Sequence, residues 1–84
     1  MNNLEREIID AIAELNGIDR EKIKSDSVLS SLGIDSLSAL EILVALEEKY
    51  DIEIPDNELK NVNSITEIIS IVSRNLDRKK AGNS

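Results

Sequence analysis

In the middle of the chain, the stretch Leu32-Gly33-Ile34-Asp35-Ser36-Leu37 writes a helix start, and the rest of the sequence has to fold around it. Asp35 is a good N-cap for the run from Ser36 to Tyr50, and Gly33 two residues earlier allows a backbone conformation that a Cβ would resist. Ser36 therefore opens the helix. Its hydroxyl sits where unpaired backbone N–H groups and the positive end of the helix dipole favour an anion, such as a phosphate.

The helix that follows has more aliphatic residues than one buried stripe needs. At 100° per residue Ala39, Ile42, Leu43, Leu46 and Tyr50 share one side, which is assigned to the core. Leu37, Leu40, Glu41, Val44, Glu47 and Glu48 fall on the other. Three aliphatics among three glutamates suit transient docking on partners that supply Arg or Lys around an apolar patch, and the bland alternative is a solvated face with incidental leucines. Reversing any of the three glutamates is expected to leave the fold intact.

Two more amphipathic segments flank this helix. Leu4, Ile8, Ala11, Ile12 and Leu15 predict a helix from Asn3 to Asn16, ended by Gly17. Residues 18–35 show no sustained period; Ile23, Val28, Leu29 and Leu32 can pin this loop to the core, with a short helical turn from Arg20 to Ile23. After Tyr50, Pro55 disfavours helix at Ile54 and Asp56 can cap a short third helix through Asn61. Ser64 and Glu67 form a capping-box pattern for a last helix with Ile65, Ile68, Ile69, Val72 and Leu76 as its stripe. The expected fold is all-α: a small antiparallel bundle of three longer helices and one short one, residues 1–76 forming the domain and residues 77–84 a basic, frayed tail.

Composition narrows the function. An 84-residue chain builds one small core, and it has neither Cys nor His, which removes disulfides, thiolate nucleophiles, the usual zinc ligands and the best proton shuttle near neutral pH. Ser36 consequently has no base to make it a nucleophilic catalyst, and no catalytic residue is assigned. Asp51, Glu53 and Asp56 do not make a calcium loop, because the sixth position from Asp51 is Asp56 rather than Gly and the twelfth is Val62 rather than Glu. Residues 1–73 hold 6 Lys/Arg against 16 Asp/Glu, a balance of −10, which argues against nucleic acid and for basic protein partners. With no membrane-spanning run or signal sequence, the chain reads as a cytoplasmic monomer that does not insert into membranes.

Gly33-Ile34-Asp35-Ser36-Leu37, then Leu46-Glu47-Glu48 and Asp51-Ile52-Glu53-Ile54-Pro55-Asp56, together resemble the acyl carrier proteins, and the likeness runs from about Leu4 to Leu76. That resemblance implies a non-enzyme carrier. Its cofactor would be 4'-phosphopantetheine, transferred from coenzyme A to Ser36 by a phosphopantetheinyl transferase, with Gly33, Asp35 and Leu37 as motif context. Acyl chains held as thioesters would be shown in turn to synthesising and transferring enzymes, above all those of fatty acid synthesis, and could lie against Leu46, Ile54, Leu59 and Val62. Ser38 stands where fatty-acid carriers often have an acid, and Leu59 where a smaller residue is frequent. A carrier of a polyketide, nonribosomal peptide or other specialised pathway is the alternative of the same kind; an unmodified acidic adaptor is the alternative of another.

Overall fold

The computed structural model describes residues 3–60 and 62–82, with side chains through residue 80. Four helices follow one another: α1 (Asn3–Asn16), α2 (Ser36–Tyr50), the single turn α3 (Asp56–Leu59) and α4 (Ile65–Gly82). They form a small antiparallel bundle. Two 3-10 turns, Arg20–Lys22 and Leu29–Leu32, punctuate the long connection between α1 and α2.

The core is aliphatic apart from Asn75, with Ile8 and Ile12 of α1, Ile42, Leu43 and Leu46 of α2, and Ile65, Ile68 and Val72 of α4 fully buried. Each such side chain contributes about 1.5–3 kcal/mol relative to exposure, so these eight dominate the stability of so small a domain. Ile23, Leu29 and Ile34 bury the connection against them. An isolated bridge pairs Val28 with Ser64: the Leu29 N–H donates to the Asn63 carbonyl at 2.9 Å, and the Ile65 N–H to the Ser27 carbonyl at 3.0 Å. The connection is thereby fastened to the start of α4.

The α2 stripe and the capping box of α4 are as the sequence predicts; Ser64 N–H donates to Glu67 Oε1 at 3.1 Å and Glu67 N–H to Ser64 Oγ at 3.3 Å. Other expectations are corrected. In α1 the buried face is Ile8, Ile9, Ile12 and Ala13, while Leu15 is 55% exposed, because α1 packs against both α2 and α4 and so buries adjacent residues pairwise. Asp56 is the first residue of α3 rather than its cap, Pro55 takes the cap position without a side-chain bond, and α3 ends at Leu59. Asn61 lies outside the described residues, as do Asn83 and Ser84.

The largest difference lies in α4, which continues past Leu76 through Gly82 instead of fraying. Its extension has partners that no local pattern reveals. Lys79 Nζ donates to the Tyr50 carbonyl at 3.4 Å and to Asp51 Oδ2 at 3.1 Å, closing the end of α2. Asn75, only 4% exposed in an otherwise apolar core, donates to the Ile71 carbonyl at 2.8 Å and to Glu58 Oε1 at 3.0 Å, and accepts from Arg78 at 3.1 Å. Arg74 and Arg78 each stand 3.5 Å from Glu58 Oε2. This cluster holds α3 onto α4.

Glu58 is correspondingly held below the usual carboxylate range, chiefly by the Asn75 amide, with the charges of Arg74 and Arg78 adding to it against the opposing effect of burial. A carboxyl that ionises more readily folded than unfolded stabilises the fold fully at neutral pH, and that contribution is lost as pH falls below the ordinary value of about 4.5 through the lowered one. Asn75→Ala should therefore cost about 1–3 kcal/mol in urea unfolding at pH 7, where it takes a buried amide and its hydrogen bond away from a carboxylate that Arg74 and Arg78 still face. The gap between parent and variant should narrow as the measurement is moved towards pH 3.

Candidate functional site

The site is built by the way the chain enters α2. The 3-10 turn Leu29–Leu32 ends on Gly33 at φ 78°, a left-handed conformation that costs a side-chain-bearing residue energy. With Gly33 so placed, the Ile34 N–H reaches back to the Leu29 carbonyl at 3.0 Å and the Ile34 side chain is buried. Asp35 follows in extended conformation, and its Oδ1 accepts from the Ser38 N–H at 2.8 Å, capping α2. Ser36 is then the first helical residue and is exposed.

Hydrogen bonding from Ser38 sets the chemistry of the cap, with the backbone N–H as its main donor. Its backbone N–H, joined by its hydroxyl, holds the Asp35 carboxyl below the ordinary range against a smaller opposing effect of burial. Ser38 stands where an acid is frequent in the resembling family, and its backbone N–H, the main donor to Asp35, does not depend on the side chain. An acid there would set a second negative charge beside the cap.

A cavity of about 200 Å³ opens beside Ser36. Leu29, Ile34, Ala39, Val28 and Val62 give its aliphatic lining; Ser30, Asp35 and Asn63 give polar lining beside Ser36 itself. The hydroxyl of Ser30 and the side-chain amide of Asn63 have no protein hydrogen-bond partner among the described residues. Sequence periodicity does not point to Val28, Ser30 and Asn63 as neighbours of Ser36. They are brought there by the Val28–Ser64 bridge, and the one available signal was the capping box that places Asn63 at the doorstep of α4.

The outer face of α2 is partly as expected. Leu37, Leu40 and Val44 are 64%, 38% and 42% exposed, with Glu41 and Glu48 exposed beside them. Glu47 differs: it is half-buried, and its Oε2 accepts from the Ile54 N–H at 2.7 Å, tying α2 to the segment before α3. The four residues expected to hold an acyl chain have different surroundings among the described residues. Leu46 is fully buried in the core, Leu59 is half-buried, Val62 lines the cavity beside Ser36, and Ile54 lines a separate open groove shared with Glu53, Asp56, Arg78 and Lys79. Among the described residues no three acidic side chains are grouped to hold a metal ion, and no helix is long and apolar enough to cross a membrane.

Comparison with known proteins bears on this geometry directly. The family model for the phosphopantetheine attachment site matches residues 6–72, which include the entire α2 region and its capping turn. An acyl carrier protein of Syntrophobacter fumaroxidans is 38% identical over 69 residues, spanning 81% of this chain and 85% of the relative. The chain belongs to the acyl carrier protein family. Its prosthetic group is 4'-phosphopantetheine. The fold agrees: the acyl carrier protein of Thermotoga maritima superposes with a TM-score of 0.80 at 21% identity, over 94% of this chain and 99% of that one. The actinorhodin holo acyl carrier protein of S. coelicolor superposes with a TM-score of 0.70 at 24% identity, over 84% and 87%.

The carrier's glutamates separate in a stability test. Glu47→Lys removes the acceptor for a partly buried N–H and should cost about 1–3 kcal/mol in chemical unfolding. Glu41→Lys and Glu48→Lys, on the exposed face, should stay within about 0.5 kcal/mol of the parent.

Proposed function

We propose that Ser36 is the residue to which phosphopantetheine is linked, and that this carrier holds acyl intermediates as thioesters for fatty acid synthesis. The observation that carries the reading is the exposed Ser36 hydroxyl in the first turn of α2, inside the stretch matched by the attachment-site family. When bound, the group supplies the thiol that the cysteine-free sequence lacks. The backbone N–H groups of the first turn and the helix dipole favour the phosphodiester's negative charge at that place. Asp35, tied up by Ser38, fixes the start of α2, which keeps Ser36 in the first turn of the helix. A separate phosphopantetheinyl transferase performs the attachment, since no side chain here could activate the hydroxyl.

Docking is assigned to Leu37, Leu40 and Val44 with Glu41 and Glu48. Exposed aliphatics beside exposed carboxylates match enzyme surfaces that ring an apolar depression with Arg or Lys, and long-range charge steering then speeds encounter without making release slow. The acidic body of residues 1–73 acts in the same direction. Pairing with fatty acid synthesis rests on the plain acyl carrier name of the 38% identical relative.

The test is intact mass after incubation with coenzyme A and a phosphopantetheinyl transferase. The parent should gain one arm. Ser36→Ala should keep its unmodified mass while unfolding within about 0.5 kcal/mol of the parent, because Asp35 rather than Ser36 provides the cap. Uptake of the arm by the alanine variant would place the linkage elsewhere.

A further inference from the structure

The cavity beside Ser36 raises the question of what fills it, and its position limits the answer. Ser36 belongs to its lining, so anything linked to that hydroxyl starts at the cavity's edge. From phosphorus to sulfur the phosphopantetheine arm has about the length of four peptide units, on the order of 15 Å extended. A thioester-bound acyl group therefore begins far from Ser36, and the arm would have to double back to put it there. The pantoyl part of the arm, next to the phosphate, reaches the same space without bending.

Size and chemistry point the same way. A cavity of roughly 150 Å³ accepts benzene, and the 200 Å³ here suits the six carbons of the pantoyl unit better than a long alkyl chain. That unit has two geminal methyl groups together with a hydroxyl and an amide. The methyls match Val28, Val62 and Ala39; the polar groups match the Ser30 hydroxyl and the Asn63 amide, which have no protein partner among the described residues. Both side chains belong to exposed residues, so they can meet the polar groups of the arm at the mouth of the cavity while the methyls lie against its aliphatic lining.

We infer that the cavity is a resting place for the proximal, pantoyl segment of the carrier's own arm, with Val28 and Val62 against its methyls and Ser30 and Asn63 toward its polar groups. The inference rests on the assignment of Ser36 as the linkage point. Docking of the first segment shortens the free length of the arm, so that the thiol end leaves from the mouth of the cavity instead of sampling the whole surface. The site is small and open on one side, which lets an enzyme withdraw the arm.

The holo protein, charged with an arm carrying ¹³C in the geminal methyls, tests this by NMR. Expected are contacts between those methyls and the methyls of Val28 and Val62, and holo-minus-apo amide shifts concentrated at residues 28–30, Ala39 and Asn63. Ser30→Phe, which fills the space from an exposed turn position, should abolish the contacts while uptake of the arm and the amide spectrum of α1 and α4 persist. Asn63→Ala, whose backbone bonds to Leu29 and Glu67 remain, should weaken them without filling anything. Arm methyls that show no contact with the cavity, or contacts that survive both variants, overturn the inference while leaving the carrier reading standing. Failure of the parent to take up an arm overturns both.

Discussion

Three times in this chain a helical segment is ended in the same way, and the bundle depends on it. Gly17, Gly33 and Asp51 adopt left-handed backbone, at φ 63°, 78° and 55°. The following isoleucine then donates its N–H five residues back: Ile18 to Ala13, Ile34 to Leu29, and Ile52 to Glu47, each at 3.0 Å. The bond satisfies a carbonyl that the helix end would leave open, and the turn drives the next side chain inward; Ile34 and Ile52 are buried and Ile18 half-buried. Each reversal is fixed at once by a hydrogen bond and by apolar burial. In a domain of this size such coupling replaces the larger core that it cannot build.

The second reversal sets the function. Because Gly33 turns the chain and Ile34 anchors it, Asp35 arrives in the conformation needed to cap α2, and Ser36 emerges on the surface at the positive end of the helix. The third reversal uses Asp51, which pays a backbone cost that glycine would not. Lys79 from α4 bonds both the Asp51 carboxylate and the Tyr50 carbonyl, and so supports the turn from outside. Asp51 is exposed, and an exposed pair of this kind is worth little in itself. Its value here is positional: it carries α4 along the end of α2.

Charge is arranged with similar division of labour. Glu58 is neutralised by Arg74 and Arg78 and held by Asn75, Glu7 accepts from the Tyr50 hydroxyl at 2.7 Å, and Glu47 is occupied by a backbone N–H. Glu41 and Glu48 remain on the exposed face of α2 beside Leu37, Leu40 and Val44. Acidic groups that brace the fold are thus distinct from those available to a partner. Composition counts them alike.

What the sequence by itself determined is local: the helical period of α1, α2 and α4, the reversals at Gly17 and Gly33, the Asp35 cap, the Ser64–Glu67 box, and with them the exposed Ser36. These follow from interactions between residues a few positions apart, which a linear pattern records directly. The tertiary structure alone decided the rest. Leu15 lost its place in the core to Ile9 and Ala13 because α1 meets two helices at once; Glu47 became a brace because Ile54 folds back onto it; α4 outran Leu76 because Asp51 and Glu58 lie within reach of its cations. The cavity at Ser36 likewise needed the Val28–Ser64 bridge, which joins segments 36 residues apart. No periodicity encodes such meetings, since they depend on where separate helices come to rest against one another.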